Sequence, residues 1–85
     1  MSNGAAIEGW VIEACQQLGL PVSTGDDDFF EAGATSLTVM RLIERVGKKF
    51  GEDALSPEDV IEFSSVHEIA ATISANIQEA KPARS

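Results

Sequence analysis

Apolar residues recur at the spacing of an α-helix in three stretches of the chain, at about 5–18, 36–50 and 66–78. Each stretch places its apolar residues in one stripe, so we expect the three stripes to face a shared core. The stripes are Ile7, Trp10, Val11, Ala14 and Leu18; Val39, Leu42, Ile43, Val46 and Phe50; and Val66, Ile69, Ala70, Ile73 and Ile77. No stretch alternates with period two for long enough to predict a strand.

Capping signals bound these helices and add a short one. Ser56, followed by Pro57 and by Asp59 in the register of a capping box, predicts a helix at about 57–62. The candidate N-cap of the second stretch is Thr35 or Ser36. For the last stretch it is Ser65 or Ser64, and Glu68 completes a capping box with Ser65. Gly19, Pro21 and Gly51 are the signals that end helices.

A long connection, residues 19–35, lies between the first two helices. It holds three glycines, one proline and a run of three aspartates, with Phe29 and Phe30 in its middle. Loops of this length are usually functional or held by their own side chains, and two adjacent phenylalanines predict that at least one is buried in the core. We therefore predict an all-α four-helix bundle with three main helices, a short third helix and a long ordered loop between helices 1 and 2. It forms a single domain over residues 1–85, with a core at about 6–78 and loose termini at 1–4 and 80–85.

The length and composition of the chain exclude several classes of function. With 85 residues the chain has little room for an enclosed substrate pocket, which makes an autonomous enzyme unexpected. Its formal net charge of −8 disfavours binding to nucleic acid or to anionic membrane surfaces. Cys15, alone, can form no internal disulfide, and with His67 as the sole histidine a Cys/His metal site is out of reach. We expect Cys15 to be a small buried hydrophobe and His67 a surface residue. No apolar run spans a membrane and no signal peptide is recognisable, so we expect a cytoplasmic protein. We also expect it to be a monomer.

Positive charge is concentrated in the second predicted helix. Arg41, Arg45 and Lys48 fall at i, i+4 and i+7 and share one face, in a chain that is otherwise acidic. The plain interpretation is a solvated face with a Glu44–Lys48 ion pair. The alternative is that this face selects the partners that dock.

Ser36 stands at the start of the second helix, directly after the small residues 32–34. A helix N-terminus offers free N–H groups and the positive end of the helix dipole, which suits a phosphate. The position therefore fits a serine that carries a phosphodiester. An interpretation in which Ser36 is only an N-cap stays open on these grounds.

The stretch around Ser36 resembles the attachment motif of acyl and peptidyl carrier proteins, which in peptidyl carriers commonly reads D-x-F-F-x-x-G-G-x-S-L. Here the sequence is Asp27-Asp28-Phe29-Phe30-Glu31-Ala32-Gly33-Ala34-Thr35-Ser36-Leu37. The resemblance continues through Met40, Leu42, Ile43, Val46 and Phe50-Gly51. The segment Phe63-Ser64-Ser65-Val66-His67-Glu68-Ile69-Ala70 is similar to the family's F-x-S/T-S/T-V-x-x-L/I-A opening of the last helix. Together these motifs cover about residues 6–78.

The resemblance implies a role for Ser36 and a set of partners. Its hydroxyl would take 4′-phosphopantetheine from coenzyme A, and the terminal thiol of that group would hold an acyl or aminoacyl group as a thioester. The protein would then be a tethered substrate rather than a catalyst. Its partners would be a phosphopantetheinyl transferase, a loading enzyme (an adenylating enzyme or an acyltransferase) and a downstream transferase or condensing enzyme.

Departures from the family pattern bear on the pathway. Ala34 replaces the second glycine usual in peptidyl carriers, and Thr35 stands where fatty-acid carriers usually have aspartate. The basic second helix also contrasts with the acidic one typical of fatty-acid carriers. The chain therefore resembles a stand-alone carrier of polyketide or nonribosomal peptide biosynthesis, with a module of a larger synthase as the alternative. The resemblance marks Leu37, Met40, Arg41, Arg45 and Thr35 as candidate docking residues.

Other chemistries lack their required pattern. Counted from Asp26, position six of a calcium-binding loop is Glu31 rather than glycine. A serine hydrolase would need His67 as base, and no G-x-S-x-G turn is present. The remaining alternative is a non-catalytic helical interaction domain without a prosthetic group.

Overall fold

The computed structural model describes the backbone of residues 3–84 and the side chains of residues 5–77. Four helices follow one another along the chain: α1 (Asn3–Gln17), α2 (Ser36–Phe50), α3 (Pro57–Glu62) and α4 (Val66–Arg84). Within residues 3–84 there is no strand, only one isolated bridge between Asp28 and Ser65. The prediction of an all-α bundle with a short third helix is confirmed, and α2 and α3 have the predicted bounds.

The outer ends of α1 and α4 differ from the prediction. Helix α1 begins at Asn3, and α4 continues to Arg84 instead of ending at about residue 78. The backbone of residues 3–4 and 80–84 is thus helical where the sequence predicts loose termini. Residues 78–81, Gln-Glu-Ala-Lys, are strong helix formers, so no local signal ends α4 there. Met1, Ser2 and Ser85, also predicted to be loose, lie outside the described residues.

The core lies where the apolar stripes of the helices meet, and α1 and α4 make the most extensive helix pair. Most of the predicted stripe residues are buried: Ile7, Val11, Ala14, Val39, Leu42, Val46, Val66, Ile69, Ala70 and Ile73. The stripe residues at its edge, Trp10, Leu18, Ile43, Phe50 and Ile77, are partly buried. Trp10 and Phe50 pack edge to face with ring centroids 5.1 Å apart, which fixes the end of α2 against α1.

The loops also contribute to the core. Phe29 is fully buried, whereas Phe30 remains exposed and packs edge to face against it, so one of the two phenylalanines is the expected anchor. Four further buried residues, Leu20, Val22, Ala54 and Leu55, come from the two longer loops. The loop between α1 and α2 is therefore held from inside the bundle.

Backbone hydrogen bonds fasten the middle of this loop to the start of α4. They join the Phe29 N–H to the Ser64 carbonyl (2.7 Å), the Val66 N–H to the Asp27 carbonyl (2.9 Å) and the His67 N–H to the Gly25 carbonyl (2.9 Å). At the same point the Ser64 hydroxyl donates to the Asp28 carboxylate at 2.5 Å. We call this set of contacts the loop–α4 junction. It ties the segment that leads into α2 to a helix of the core.

The predicted caps of α3 and α4 are present. The Asp59 N–H donates to the Ser56 hydroxyl and the Ser56 N–H to the Asp59 carboxylate, both at 3.2 Å. Ser65, not Ser64, caps α4, since its hydroxyl accepts from the Glu68 N–H at 3.1 Å. These reciprocal bonds satisfy N–H groups that a helix start otherwise leaves without partners.

Candidate functional site

Ser36 is the first residue of α2, and Thr35 is the N-cap. The Thr35 hydroxyl accepts from the Thr38 N–H at 3.5 Å, and the Thr35 N–H donates to the Thr38 hydroxyl at 3.0 Å. Of the two N-cap candidates, Thr35 is therefore the one used. This assignment contradicts the interpretation in which Ser36 serves only as a cap.

The Ser36 side chain is exposed. Among the side chains described, residues 5–77, no hydrogen bond to its hydroxyl is formed. An exposed hydroxyl without an internal partner can be approached by an enzyme and can react without breaking a contact of the fold.

The turn before α2 is shaped by Asp28 and Gly33. The Asp28 carboxylate accepts from the backbone N–H groups of Phe30 and Glu31, both at 3.0 Å. Gly33 has a φ of +112°, a conformation that residues with a Cβ rarely adopt. The hydrogen bond from Ser64, with those from the Glu31 and Phe30 N–H groups, lowers the pKa of the Asp28 carboxyl below its ordinary value of 3.8. The chain thus enters α2 from a turn that a charged carboxylate stabilises.

The electrostatics at Ser36 favour an anion. The first-turn N–H groups of Ser36 and Leu37 have no intrahelical acceptor, and the first turn of α2 contains no acidic residue. The positive end of the helix dipole therefore lies beside the Ser36 hydroxyl without a carboxylate of that turn to offset it. These features fit the phosphate of a group attached through a phosphodiester.

Two of the candidate docking residues expose apolar surface next to Ser36. Leu37 is 61% exposed and Met40 is 56% exposed. Sequence reasoning missed three other exposed apolar side chains, Phe30, Ile61 and Phe63. Ile61 could have been found, since it lies on a short amphipathic helix outside the stripe that buries Val60.

The basic residues of α2 lie on the surface as predicted. Arg41 and Lys48 are exposed, and Arg45 is half-exposed with its Nη1 donating to the Gln17 Oε1 of α1 at 2.6 Å. The expected Glu44–Lys48 pair is not formed within the part of the chain whose side chains are described. A polar contact found there joins the exposed His67 to Glu8, with Nδ1 and Oε1 3.1 Å apart. The contact of Arg45 with Gln17 could not be predicted, because helical periodicity does not relate α1 to α2.

Cys15 is fully buried in the core, as predicted. Burial raises the pKa of its thiol to about 11, so the thiolate is scarce near neutral pH. Across the described residues, no group of three or more histidine, cysteine or acidic side chains is placed to hold a metal ion. No helix found in that part of the chain is long and apolar enough to cross a membrane.

A comparison with known protein families gives a match that covers this site. A family model described as "Phosphopantetheine attachment site" matches residues 12–73, which include the loop, Ser36, α2 and α3. Searches of curated proteins and of solved structures give no match. The chain belongs to the phosphopantetheine attachment site family, the small helical carrier domains. It is an attachment domain for 4′-phosphopantetheine. Domains of this family interact with phosphopantetheinyl transferases and biosynthetic enzymes. They typically act as tethers and do not catalyse a reaction themselves.

Proposed function

We propose that Ser36 carries the 4′-phosphopantetheine group and that the protein holds an acyl or aminoacyl intermediate on it. The observation that supports this assignment is the free, exposed hydroxyl of Ser36 at the first position of α2. When bound, the group supplies a terminal thiol at the end of a flexible arm, and this thiol forms a thioester with the intermediate. The protein contributes the attachment point, the electrostatic setting and the docking surface.

Attachment needs only the hydroxyl from this chain. The Ser36 Oγ attacks the coenzyme A phosphorus that bears the pantetheine and forms a new O–P bond. The bond from that phosphorus to the adenosine bisphosphate part of coenzyme A breaks, and adenosine 3′,5′-bisphosphate leaves. A base of the transferase takes the Ser36 proton. The product is a phosphodiester anion beside the positive end of the α2 dipole, where it is stabilised.

In this function the protein is a substrate that its partners share, not an enzyme. A phosphopantetheinyl transferase modifies it, an adenylating enzyme or acyltransferase loads it, and a downstream transferase or condensing enzyme unloads it. The basic α2 favours a carrier of polyketide or nonribosomal peptide biosynthesis over one of fatty-acid synthesis. A cytoplasmic monomer is the form in which we expect it to work.

The docking surface that we propose surrounds Ser36 on the outer side of α2. Leu37 and Met40 supply apolar contact, and the more distant Arg41 and Arg45 supply charge. Thr35 borders the same point but already uses its hydroxyl in the cap. An apolar centre with a charged rim is the usual composition of a specific interface.

The proposal is tested by intact-mass measurement after incubation with coenzyme A, magnesium and a broad-specificity phosphopantetheinyl transferase. We expect the wild-type protein to gain one phosphopantetheine and Ser36→Ala to gain none. Ser56→Ala is the matched control, because it removes another helix-start serine and leaves the proposed site intact. Modification of Ser36→Ala, or no modification of a folded wild-type protein beside a working control carrier, would refute the assignment.

A further inference from the structure

Four of the six lysines and arginines of this chain lie on α2, in a protein with a net charge of −8. Three of them, Arg41, Arg45 and Lys48, are called the basic face here. Within residues 5–77, none of the three is within 4.0 Å of a carboxylate oxygen. The basic face is therefore a local region of positive charge that the fold does not neutralise with a direct ion pair.

The basic face lies on the same side of α2 as the exposed apolar residue next to Ser36. Leu37 and Arg41 are four residues apart, about one helical turn, and Lys48 follows Leu37 by about three turns. The Arg45 guanidinium is held toward α1 by Gln17 at 2.6 Å, which leaves other N–H donors of this group available. An open depression of about 340 Å³ is lined by Leu18, Arg41, Glu44, Arg45 and Lys48. Any enzyme that reaches Ser36 over Leu37 comes close to these charges.

Intramolecular roles account for only part of this arrangement, since Arg45 contacts Gln17 but Arg41 has no such partner among the described side chains. Lys48, together with Lys49, lies in the last turn of α2, where cations stabilise the helix dipole. Arg41 lies in the first half of the helix, closer to its positive end, and gains nothing from that interaction. The high net charge already favours solubility, so a patch of opposite sign is not needed for it. Glu44 lies within the patch and reduces its charge without forming an ion pair there.

We propose that enzymes that act on Ser36 bind this protein through an acidic patch that faces Arg41, Arg45 and Lys48. This inference rests on the proposed function of Ser36 and specifies the chemistry of its partners. Arginine forks pair with carboxylates in bidentate geometry, and complementary charge around a docking site accelerates association more than it strengthens the final complex. The effect should therefore appear in kcat/KM and in its salt dependence, with kcat largely retained.

The test uses two phosphopantetheinyl transferases as probes, one with an acidic rim around its catalytic pocket and one with a basic rim. Phosphopantetheine transfer to Ser36 is measured with wild type, with Arg41→Glu/Arg45→Glu and with Arg41→Glu/Lys48→Glu, which keeps the Gln17 contact. Lys81→Glu/Arg84→Glu, at two positions of α4, is the matched control, because it changes the net charge by the same amount and leaves α2 unaltered in sequence. Thermal unfolding verifies that each variant is folded.

With the acidic-rim transferase, we expect both α2 variants to lower kcat/KM by about tenfold at low ionic strength, through KM. The loss should shrink at higher salt, and the control should differ from wild type by less than about twofold. With the basic-rim transferase, the same α2 variants should raise kcat/KM.

Equal effects with both transferases, or α2 variants that behave like the control, would overturn the inference. Concentration-dependent self-association of wild type that the α2 variants abolish would instead assign the face to a second copy and would also overturn it. Absence of any transfer to wild type with both transferases would refute the role of Ser36 itself.

Discussion

The Ser64 hydroxyl donates to the Asp28 carboxylate at 2.5 Å and so joins residues that are 36 positions apart in the sequence. The same carboxylate accepts from the N–H groups of Phe30 and Glu31 and thereby shapes the turn that leads toward Ser36. One side chain thus links the segment just before α4 to the turn that leads into α2. This link explains how a loop of 18 residues between α1 and α2 can hold a defined shape.

Removal of the Ser64 hydroxyl should destabilise the protein. We expect Ser64→Ala to lower the free energy of unfolding by about 1 kcal/mol, since it removes a hydrogen bond to a charged group that is partly solvated. Ser64→Thr keeps the hydroxyl and should lose less. Urea denaturation monitored by circular dichroism measures both. Equal stabilities of Ser64→Ala and wild type would show that water replaces the Ser64 hydroxyl without loss.

Acid should weaken the loop through Asp27 and Asp28. Backbone N–H groups of Ser23 and Thr24 lower the pKa of Asp27, and the Ser64 hydroxyl is the main cause that lowers the pKa of Asp28. The unfolded carboxyls titrate near 3.8, so the folded state binds fewer protons as acid is added. Their stabilisation is complete above about pH 5 and is lost as the pH falls through 3.8 and then through the lower folded values.

The variant Asp27→Asn/Asp28→Asn should therefore have a flatter acid dependence than wild type. The measurement is the free energy of unfolding between about pH 2.5 and pH 6. Ser64→Ala should flatten the dependence partly, because it removes the first cause at Asp28 and leaves Asp27 unchanged. An unchanged acid slope in the double variant would assign acid sensitivity to other groups.

The adjacent phenylalanines should differ in their contribution to stability. Phe29 is fully buried, and Phe29→Ala should cost about 3–5 kcal/mol, because it leaves a cavity in the core. Phe30 is 37% exposed, and Phe30→Ala should cost about 1–2 kcal/mol. Chemical denaturation of both variants gives the difference, with Phe29→Leu added in case Phe29→Ala does not fold. A larger loss for Phe30→Ala would reverse the roles that burial assigns.

The sequence predicts the helices of this protein well because their apolar stripes and caps are local patterns. Val39, Leu42 and Val46 are buried as their 3.6-residue spacing indicates, and the Ser56–Asp59 box starts α3 where expected. The sequence also predicts Ser36 as the attachment residue, since the family motif is a contiguous stretch around it. Features that depend on residues close together in the sequence, such as helices and caps, can therefore be predicted from it.

Contacts between distant segments were not predictable in the same way. Leu20, Val22 and Leu55 are buried in loops that have no period from which burial could be inferred. The Arg45–Gln17 hydrogen bond depends on how α1 packs beside α2, and periodicity carries no information about that. The choice of Thr35 over Ser36 as N-cap likewise depends on Thr38, whose hydroxyl completes the box. Both candidate caps were chemically suitable, and only the three-dimensional structure separates them.

Glycine to alanine substitutions should have opposite effects at Gly33 and Gly9. Neither site has an atom within 4 Å of an added Cβ, so space does not distinguish them. Gly33 has a φ of +112°, and Gly33→Ala should cost about 1–3 kcal/mol of backbone strain. Gly9 lies inside α1, and Gly9→Ala should stabilise the protein by about 0.5–1 kcal/mol. Thermal or urea unfolding of the pair provides the comparison, and a stabilising Gly33→Ala would contradict the strained turn before Ser36.

The two thiols of the modified protein should react at very different rates. Cys15 has no exposed surface, and burial raises the pKa of its thiol to about 11, so at pH 8 about one thousandth of it is ionised. Iodoacetamide should therefore leave the unmodified, folded protein largely unlabelled. After phosphopantetheine is attached, one label should appear quickly, on the terminal thiol of the arm. Cys15→Ala should take the same fast label and Ser36→Ala none, whereas denaturant should expose Cys15 in every protein that has it. Rapid labelling of the folded, unmodified wild type would show that the core around Cys15 opens readily. The labelling assay would then measure local opening of α1 and not the attachment of phosphopantetheine at Ser36.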